Sequence, residues 1–300
     1  MKNLNLKLSV NSGFALNRFT NNEKFFDFLS NYLKINYVQL TSDFLMLNLN
    51  KEIVKKNVLN IERLMGKYNV NVNSTLTGGF TRVNHLAHPD KEVQKFWIKW
   101  FKDFFKISKD LGANYSGSHL GILSFHEKKK YKSILKNRLK KNWNILSEYA
   151  YKISLKGLIW EPMSISREFG ETIEKTRFIN NLLNKDSLCP FYLCLDVGHG
   201  DINSKNPDDY NPYQWLTKFY KISPVIHLKQ VVKNNFNHLP FTEKNNKIGI
   251  INKKKLFSII DRKKLENTEL ALELSFKERD PIDKNLRLDV KRSIEYWKKN

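Results

Sequence analysis

The sequence lacks the features that mark secreted and membrane-spanning proteins. It has two cysteines in 300 residues, and no apolar run reaches the ~18–20 residues of a transmembrane helix. The first ten residues show neither the apolar core nor the cleavage site of a secretory signal. Cys189 and Cys194 lie an odd number of residues apart near one predicted strand, so their side chains point to opposite faces and a disulfide is not expected. We therefore expect two buried, reduced thiols in a cytoplasmic protein without membrane contact.

Linkers and nucleotide-binding turns are missing as well. No Pro/Gly/Ser-rich stretch divides the chain, so we expect residues 1–300 to form a single catalytic domain. An open doubly wound sheet that binds a dinucleotide needs a glycine-rich turn after its first strand. The first predicted strand instead leads into Asn11–Phe14, which disfavours that architecture.

Acidic residues are scarce relative to basic ones, and the formal net charge is +22. Such a charge can indicate a nucleic-acid partner. However, the lysines are spread over the whole chain and asparagine is abundant beside them, as expected from AT-rich codons and solvated helix faces. A basic surface also attracts an anionic sugar phosphate. We therefore expect a small-molecule partner rather than nucleic acid.

What the chain does contain is an alternation of strands and amphipathic helices. Helical spacing of apolar residues predicts helices over Lys91–Leu111, Tyr131–Ile153 and Asp283–Trp297. Eight β-rich segments recur about 30 to 45 residues apart, which is typical of βαβ units and of an α/β protein built as a (β/α)8 TIM barrel. The predicted strands are Leu4–Val10, Tyr37–Leu40, Val70–Ser74, Tyr115–Ser118, Gly157–Trp160, Phe191–Leu195, Val225–His227 and Leu270–Leu274.

Four successive predicted strands deliver metal-binding residue types at or near their ends. They are Glu161, Asp196, His227 and Glu273. In this fold the carboxyl ends of the strands form the active-site face, so all four side chains are expected in one mouth. Three carboxylates there would repel one another without a cation. Three oxygen ligands and one imidazole suit Mn²⁺, Mg²⁺, Co²⁺ or Zn²⁺, so the sequence predicts a divalent metal site.

These four residues resemble the metal ligands of the xylose isomerase-like barrel superfamily, which includes ketose epimerases and sugar-phosphate isomerases. Longer strings are similar to those of bacterial tetrulose-phosphate epimerases. They are Phe80–Asp90, Gly117–Gly121, Trp160–Ser164 and His238–Thr242. The resemblance implies epimerisation or isomerisation of a ketose or ketose phosphate through an enediolate, with Glu161 and Glu273 as the acid and base.

Further candidates for substrate binding surround this site. The resemblance implies that His199, three residues after Asp196, contacts the substrate. His119 exits the fourth predicted strand and lies where it can line the same pocket, and His238 follows the seventh. A phosphate group needs cationic partners. The candidates for that role are Arg82, Lys229 and Arg279, with Lys277 beside the last.

Two other functions compete with this interpretation. Apurinic endonucleases share the barrel, and a group of histidines with positive charge is compatible with a nuclease. A trinuclear site, however, needs about twice the ligands, and the first two predicted strands exit without histidine. A non-catalytic sugar-binding or scaffolding barrel is the other alternative, but it does not require four inward-facing ligands. Related barrels pair, so a homo-oligomer is also expected.

Overall fold

Eight parallel strands form the centre of the molecule. The computed structural model describes residues 5–81, 84–235, 237–276 and 281–298. The strands are β1 (Lys7–Val10), β2 (Tyr37–Thr41), β3 (Asn71–Leu76), β4 (Tyr115–Ser118), β5 (Gly157–Trp160), β6 (Phe191–Asp196), β7 (Val225–Leu228) and β8 (Glu269–Leu272). Each lies within two or three residues of its predicted position, and β4 and β5 match at both ends.

The strands pair in the order β1-β8-β7-β6-β5-β4-β3-β2, with every ladder parallel. Within the described residues, a single parallel bridge between Asn11 and Gln39 joins the two ends of this order. The sheet is therefore a nearly closed barrel with a seam between β1 and β2. The predicted TIM-type (β/α)8 architecture is confirmed.

Helices connect successive strands and pack outside them. They are α1 (Asn22–Asp27), α2 (Lys51–Tyr68), α3 (Lys91–Asp110), α4 (Tyr131–Ile134), α5 (Lys140–Lys152), α6 (Ile173–Asn184), α7 (Pro212–Phe219), α8 (Glu243–Ile248), α9 (Lys253–Ile259), α10 (Arg262–Asn267) and α11 (Leu286–Lys298). Asp90 caps α3 by accepting a hydrogen bond from the Glu92 amide at 2.8 Å. The second half of the apolar stripe of α3 is buried, from Trp100 to Phe105, as its spacing predicts, whereas Phe96 in the first half is exposed.

Two predicted helices differ from the structure at their starts or in their middle. The predicted helix Tyr131–Ile153 is divided by a π-helical turn over Leu135–Leu139, which separates α4 from α5. A π turn inserts one extra residue, a change that apolar spacing does not reveal. The last helix begins at Leu286 rather than Asp283, because a 3₁₀ turn over Pro281–Asn285 precedes it.

The barrel interior combines apolar and polar layers. Leu76, Ile159, Cys194, Val225 and Ala271 form an apolar cluster inside the ring of strands.

Both cysteines are buried and unbonded, as predicted. None of the helices in the described ranges combines the length and apolarity that a membrane span requires.

Candidate active site

Four side chains from consecutive strands meet at the carboxyl end of the barrel. Asp196 ends β6 and pairs in register with His227 of β7. Glu161 directly follows β5 and Glu273 directly follows β8. One potential ligand atom from each of the four lies within 4.8 Å of those from the others. The predicted site residues are therefore assembled in one place by strand register.

The spacing of these atoms is close to, and slightly wider than, that of ligands around a single metal ion. His227 Nδ1 lies 3.2 Å from Glu161 Oε1, 3.5 Å from Glu273 Oε1 and 3.9 Å from Asp196 Oδ2. Ligand bonds of about 2.1 Å place ligand atoms about 3.0–3.4 Å apart in tetrahedral or octahedral geometry. The buried Oδ2 of Asp196 also lacks a hydrogen-bond partner of acceptable geometry. This oxygen does lie 2.7 Å from the ammonium of Lys229, so its surroundings favour a positive charge.

The other oxygen of Asp196 is held by its own turn. Asp196 Oδ1 accepts a hydrogen bond of 2.5 Å from the Gly198 amide, which fixes the carboxylate two residues upstream. A side chain at position 198 would meet Lys229, since a Cβ there would lie 2.6 Å from Lys229 Cε. Glycine at this position therefore lets Lys229 approach the site.

Lys229 is a fully buried lysine in direct contact with two of the carboxylates. Its Nζ lies 2.7 Å from Asp196 Oδ2 and 3.3 Å from Glu273 Oε2. Burial would lower its pKa, but Asp196 and Glu273 outweigh burial and raise the pKa above its ordinary value. One ammonium and one divalent cation would together balance three carboxylates. Lys229, predicted to bind substrate phosphate, thus lies against the cluster with its charge engaged there.

Glu161 is buried between histidines. Its Oε2 contacts His119 Nε2 at 3.0 Å, while Oε1 faces His227. Burial would raise the pKa of Glu161, but His227, His119 and His199 together lower it well below its ordinary value. Pro162 follows directly and has no backbone N–H to donate to a neighbouring strand, so the pairing of β5 does not continue past this point. Glu161 is therefore ionised at neutral pH.

Glu273 is the most exposed member of the four, with a side-chain exposure of 23%. Its Oε2 lies 3.2 Å from His238 Nδ1 and close to Lys229, whereas Oε1 faces His227. Burial would raise the pKa of Glu273, but His227 and Lys229 lower it well below its ordinary value. Each glutamate thus directs one oxygen to the cluster and keeps the second beside a basic group.

The two remaining histidines of interest lie on the open side of the cluster. His199 Nδ1 lies 3.1 Å from the Pro162 carbonyl, which only accepts, so Nδ1 donates and Nε2 is left as an acceptor. Burial lowers the pKa of His199, which favours the neutral ring. Its Nε2 lies 3.4 Å from Lys229 Nζ, and His238 Nε2 lies 2.8 Å from the same ammonium. His119, His199 and His238 are thus gathered at the mouth.

Arg82, Lys277 and Arg279 lie outside the described residues, so their predicted contact with phosphate stays a prediction. Beside His199 a cavity of about 560 Å³ opens between the segments that follow β6 and β7. Lys233 and Lys255 line it, and its described lining contains no carboxylate. The cavity adjoins the cluster and has the opposite charge.

Two buried residues of the site were missed at the level of sequence. Gln39 in β2 contacts His227, and Glu269 at the start of β8 lies inside the barrel with hydrogen bonds from Ser9, Asn73 and Ser74. The predicted eighth strand begins at Leu270, which left Glu269 outside it. Glu269 directly precedes the apolar residues of that strand, and a carboxylate in this position could have indicated a buried polar network.

Comparison with known proteins agrees with this geometry. Residues 33–300 match the family model described as xylose isomerase-like TIM barrel. The chain is 33% identical over 296 residues to D-erythrulose 1-phosphate 3-epimerase from Brucella abortus (strain 2308), covering 97% of this chain and 95% of the relative.

Solved structures show the same fold at low sequence identity. A candidate xylose isomerase from Rhodospirillum rubrum ATCC 11170 superposes with a TM-score of 0.85 at 20% identity, covering 98% of each chain. D-psicose 3-epimerase from Clostridium cellulolyticum H10, solved with D-tagatose, superposes with a TM-score of 0.69 at 9% identity, covering 97% of this chain and 98% of the other.

Proposed function

Because the chain belongs to the xylose isomerase-like TIM barrel family, we propose that it is a divalent-metal-dependent 3-epimerase of a tetrulose phosphate. The chain is an enzyme of the sugar epimerase and isomerase class. The observation that carries the finer proposal is the cluster of Glu161, Asp196, His227 and Glu273, whose ligand atoms lie within 4.8 Å of one another. Two of its members are glutamates with a second oxygen free of the cluster.

The proposed roles follow from these positions. Glu161, Asp196, His227 and Glu273 would hold the metal ion, which supplies Lewis-acid stabilisation of negative charge on substrate oxygens. One glutamate removes the proton from the carbon next to the carbonyl, and the other returns a proton from the opposite face. Since Glu161 follows β5 and Glu273 follows β8, the two carboxylates approach from different parts of the ring. That placement supports inversion at one carbon.

Neighbouring groups are suited to hold the protons in place. His119 contacts the outer oxygen of Glu161 at 3.0 Å, and His238 contacts the outer oxygen of Glu273 at 3.2 Å. We propose that these two histidines set the orientation of the acid and the base. The carbonyl of Pro162 fixes Nδ1 of His199 as a donor. Its Nε2, which lies 3.4 Å from Lys229 Nζ, then accepts a hydrogen bond from a substrate hydroxyl in place of that ammonium.

We place the phosphate of the substrate in the cavity beside His199. Its described lining carries Lys233 and Lys255 and no carboxylate, whereas the cluster next to it is rich in carboxylates. An anionic group is attracted to the first region and repelled by the second in the absence of a cation. This arrangement orients a short ketose phosphate with its phosphate away from the glutamates and its reacting carbon toward them. Arg82 and Arg279 stay predicted contributors to phosphate binding.

The apurinic endonuclease alternative is less well supported. In the described ranges one group of four side chains has metal-ligand spacing, which suits one ion rather than three. Asn11, Ser42 and Thr77, next to the ends of β1, β2 and β3, supply no imidazole or carboxylate. Cleavage of abasic DNA is therefore expected to be undetectable.

The experiment that tests the proposal is epimer formation followed by NMR. The protein is stripped with a chelator and restored with Mn²⁺, Mg²⁺, Co²⁺ or Zn²⁺, and is then incubated with D-erythrulose 1-phosphate and with free and phosphorylated pentuloses and hexuloses. Carbon 3 is the one stereocentre of D-erythrulose 1-phosphate, so its inversion gives the enantiomer, and we follow the reaction as deuterium uptake at carbon 3 in D2O; with the longer ketoses we follow it as a second diastereomer. We expect either signal only with metal, and a loss of at least about 10³-fold in Glu161→Gln and Glu273→Gln.

Glu148→Gln is the matched control, since Glu148 is exposed in the second half of α5, which leads into the amino-terminal end of β5. Full activity of the chelated protein, or of both site variants, would refute the proposal. Activity on free ketoses alone would refute the phosphate assignment and leave the reaction class intact.

A further inference from the structure

We infer that Gln39 is a positioning residue that keeps a proton on His227 Nε2 and so leaves Nδ1 available to a metal ion. The inference rests on the proposed metal site. Gln39 lies in β2, on the far side of the imidazole from the cluster, and its Oε1 is 2.7 Å from His227 Nε2. Which of the two atoms carries the hydrogen follows from the rest of the network.

The network is anchored by a backbone group. The amide of Gly13 donates to Asn11 Oδ1 at 2.8 Å. A backbone N–H only donates, so the atom that faces it is the oxygen of the Asn11 side chain. The Asn11 amide nitrogen therefore points the other way and donates to Gln39 Oε1 at 2.7 Å.

The orientation of Asn11 fixes the orientation of Gln39. The Gln39 atom that receives the Asn11 donor must be an oxygen, and the same oxygen faces His227 Nε2. An amide oxygen does not donate, so the short contact requires a hydrogen on Nε2. In the neutral ring the lone pair is then on Nδ1, the nitrogen that faces Glu161, Asp196 and Glu273.

A second anchor acts on the nitrogen end of the same amide. Gln39 Nε2 donates to Ser74 Oγ at 3.0 Å, and Ser74 Oγ donates its own hydrogen to Glu269 Oε2 at 2.7 Å. A β-bulge between β2 and β3 breaks the register, with Val38 opposite Val72 and Gln39 opposite Ser74. The bulge helps to bring both Asn73 and Ser74 within reach of Glu269. Both ends of Gln39 are thus set by independent partners.

The hydrogen bonds from Asn11 through Gln39 to His227 form a relay. This relay opposes the His227 tautomer that the three carboxylates alone would favour. Three carboxylates near Nδ1 attract a proton to that nitrogen, and a neutral ring with its hydrogen there could not bind a cation. With the hydrogen on Nδ1, the lone pair of His227 Nε2 would face the Gln39 oxygen, and the two would repel each other. This tautomer is therefore costly. Asn11 and Gln39 also form the single described bridge across the barrel seam, so the relay is tied to closure of the barrel.

The test is the protonation pattern of His227 in the whole protein. Histidine labelled with 15N is introduced, and Zn²⁺ is used as a diamagnetic probe. Two-bond proton–nitrogen correlations distinguish a protonated ring nitrogen from a metal-bound one, and a His227→Gln sample identifies the signal among the seven histidines. We expect a proton on Nε2 and the metal on Nδ1.

Three variants test the relay without altering a metal ligand. Gln39→Leu removes the acceptor that faces His227 Nε2. Asn11→Asp replaces the amide donor that orients Gln39 with a carboxylate oxygen, which only accepts. Both variants are expected to weaken Zn²⁺ binding about 10–100-fold. Ser74→Ala is the matched control, because it breaks the same network beyond the amide while Asn11 still fixes Oε1. Its zinc affinity should stay within about twofold of wild type, with folding checked by circular dichroism.

The outcomes separate the relay from the metal site. Zinc on Nε2 with a proton on Nδ1, or unchanged affinity in Asn11→Asp, would refute the relay while leaving a metal site in place. No zinc binding by the wild type would refute the metal site itself. If Gln39→Leu does not fold, the wild-type spectrum and the Asn11→Asp affinity still decide the question.

Discussion

Metal binding should displace about one proton from the site, and that proton should come from His227 Nδ1. Burial works against the charged ring, but Glu273 and Glu161 raise the pKa of His227 well above its ordinary value in the absence of metal. The same interactions lower the pKa of both glutamates well below their ordinary values. At neutral pH the imidazole therefore carries the proton that a cation must replace, and the glutamates carry none.

The sign and size of the pH dependence follow from this assignment. Protons and metal compete for Nδ1, so affinity increases with pH and levels off once the pH passes the raised pKa of His227. Below that pKa each unit of pH weakens binding about tenfold, or about 1.4 kcal/mol. Titration calorimetry in buffers of different ionisation enthalpy counts the protons, because the observed heat changes by one buffer enthalpy per proton released.

The control for this count is His126→Asn, which removes an exposed histidine of a 3₁₀ turn outside the described cluster. It should release the same number of protons as the wild type. An affinity independent of pH between 5 and 8, with no buffer dependence of the heat, would show that His227 is not the proton-bearing ligand and would refute the reasoning.

Three further substitutions test other contacts. Lys229→Met removes an ammonium that lies 2.7 Å from Asp196 Oδ2. Because the ammonium would repel the metal ion, its loss should tighten metal binding about tenfold or more. Weaker binding in a calorimetric titration would contradict this. Gly198→Ala places a Cβ 2.6 Å from Lys229 Cε, so we expect about 1–3 kcal/mol of destabilisation in urea unfolding and lower activity; wild-type stability would argue against the close approach. Glu269→Ala leaves the donors of Ser9, Asn73 and Ser74 unpaired, which should cost about 2–4 kcal/mol in the same assay, whereas a change below about 0.5 kcal/mol would show that this network adds little.

The sequence predicts the barrel and the four clustered residues because both depend on local patterns. Strand spacing sets the ring, and a charged residue at the end of an apolar strand is costly unless it has a partner. Each of the four lies at, near or directly after the end of such a strand, so register brings them together: Glu161, Asp196, His227 and Glu273.

The residues that the sequence did not reveal depend on long-range contacts. Gln39 and Asn11 are polar residues in or after ordinary strands. Their roles appear only when the barrel forms and their side chains meet His227 of β7 across its interior. Lys229 was expected to bind phosphate, because its position in the chain does not show that Asp196 and Glu273 engage its charge. The π turn at Leu135–Leu139 likewise leaves no trace in the apolar spacing.

The central claim is proton transfer at one carbon by two glutamates on opposite sides of the substrate. The most direct measurement is deuterium incorporation from D2O by the metal-restored protein acting on D-erythrulose 1-phosphate. At early conversion the two enantiomers are dephosphorylated, separated on a chiral phase and analysed by NMR. The account predicts one deuterium at carbon 3 of the product and none at that carbon in recovered substrate, since a different group serves each face. A product that forms without solvent deuterium at carbon 3 would contradict the account.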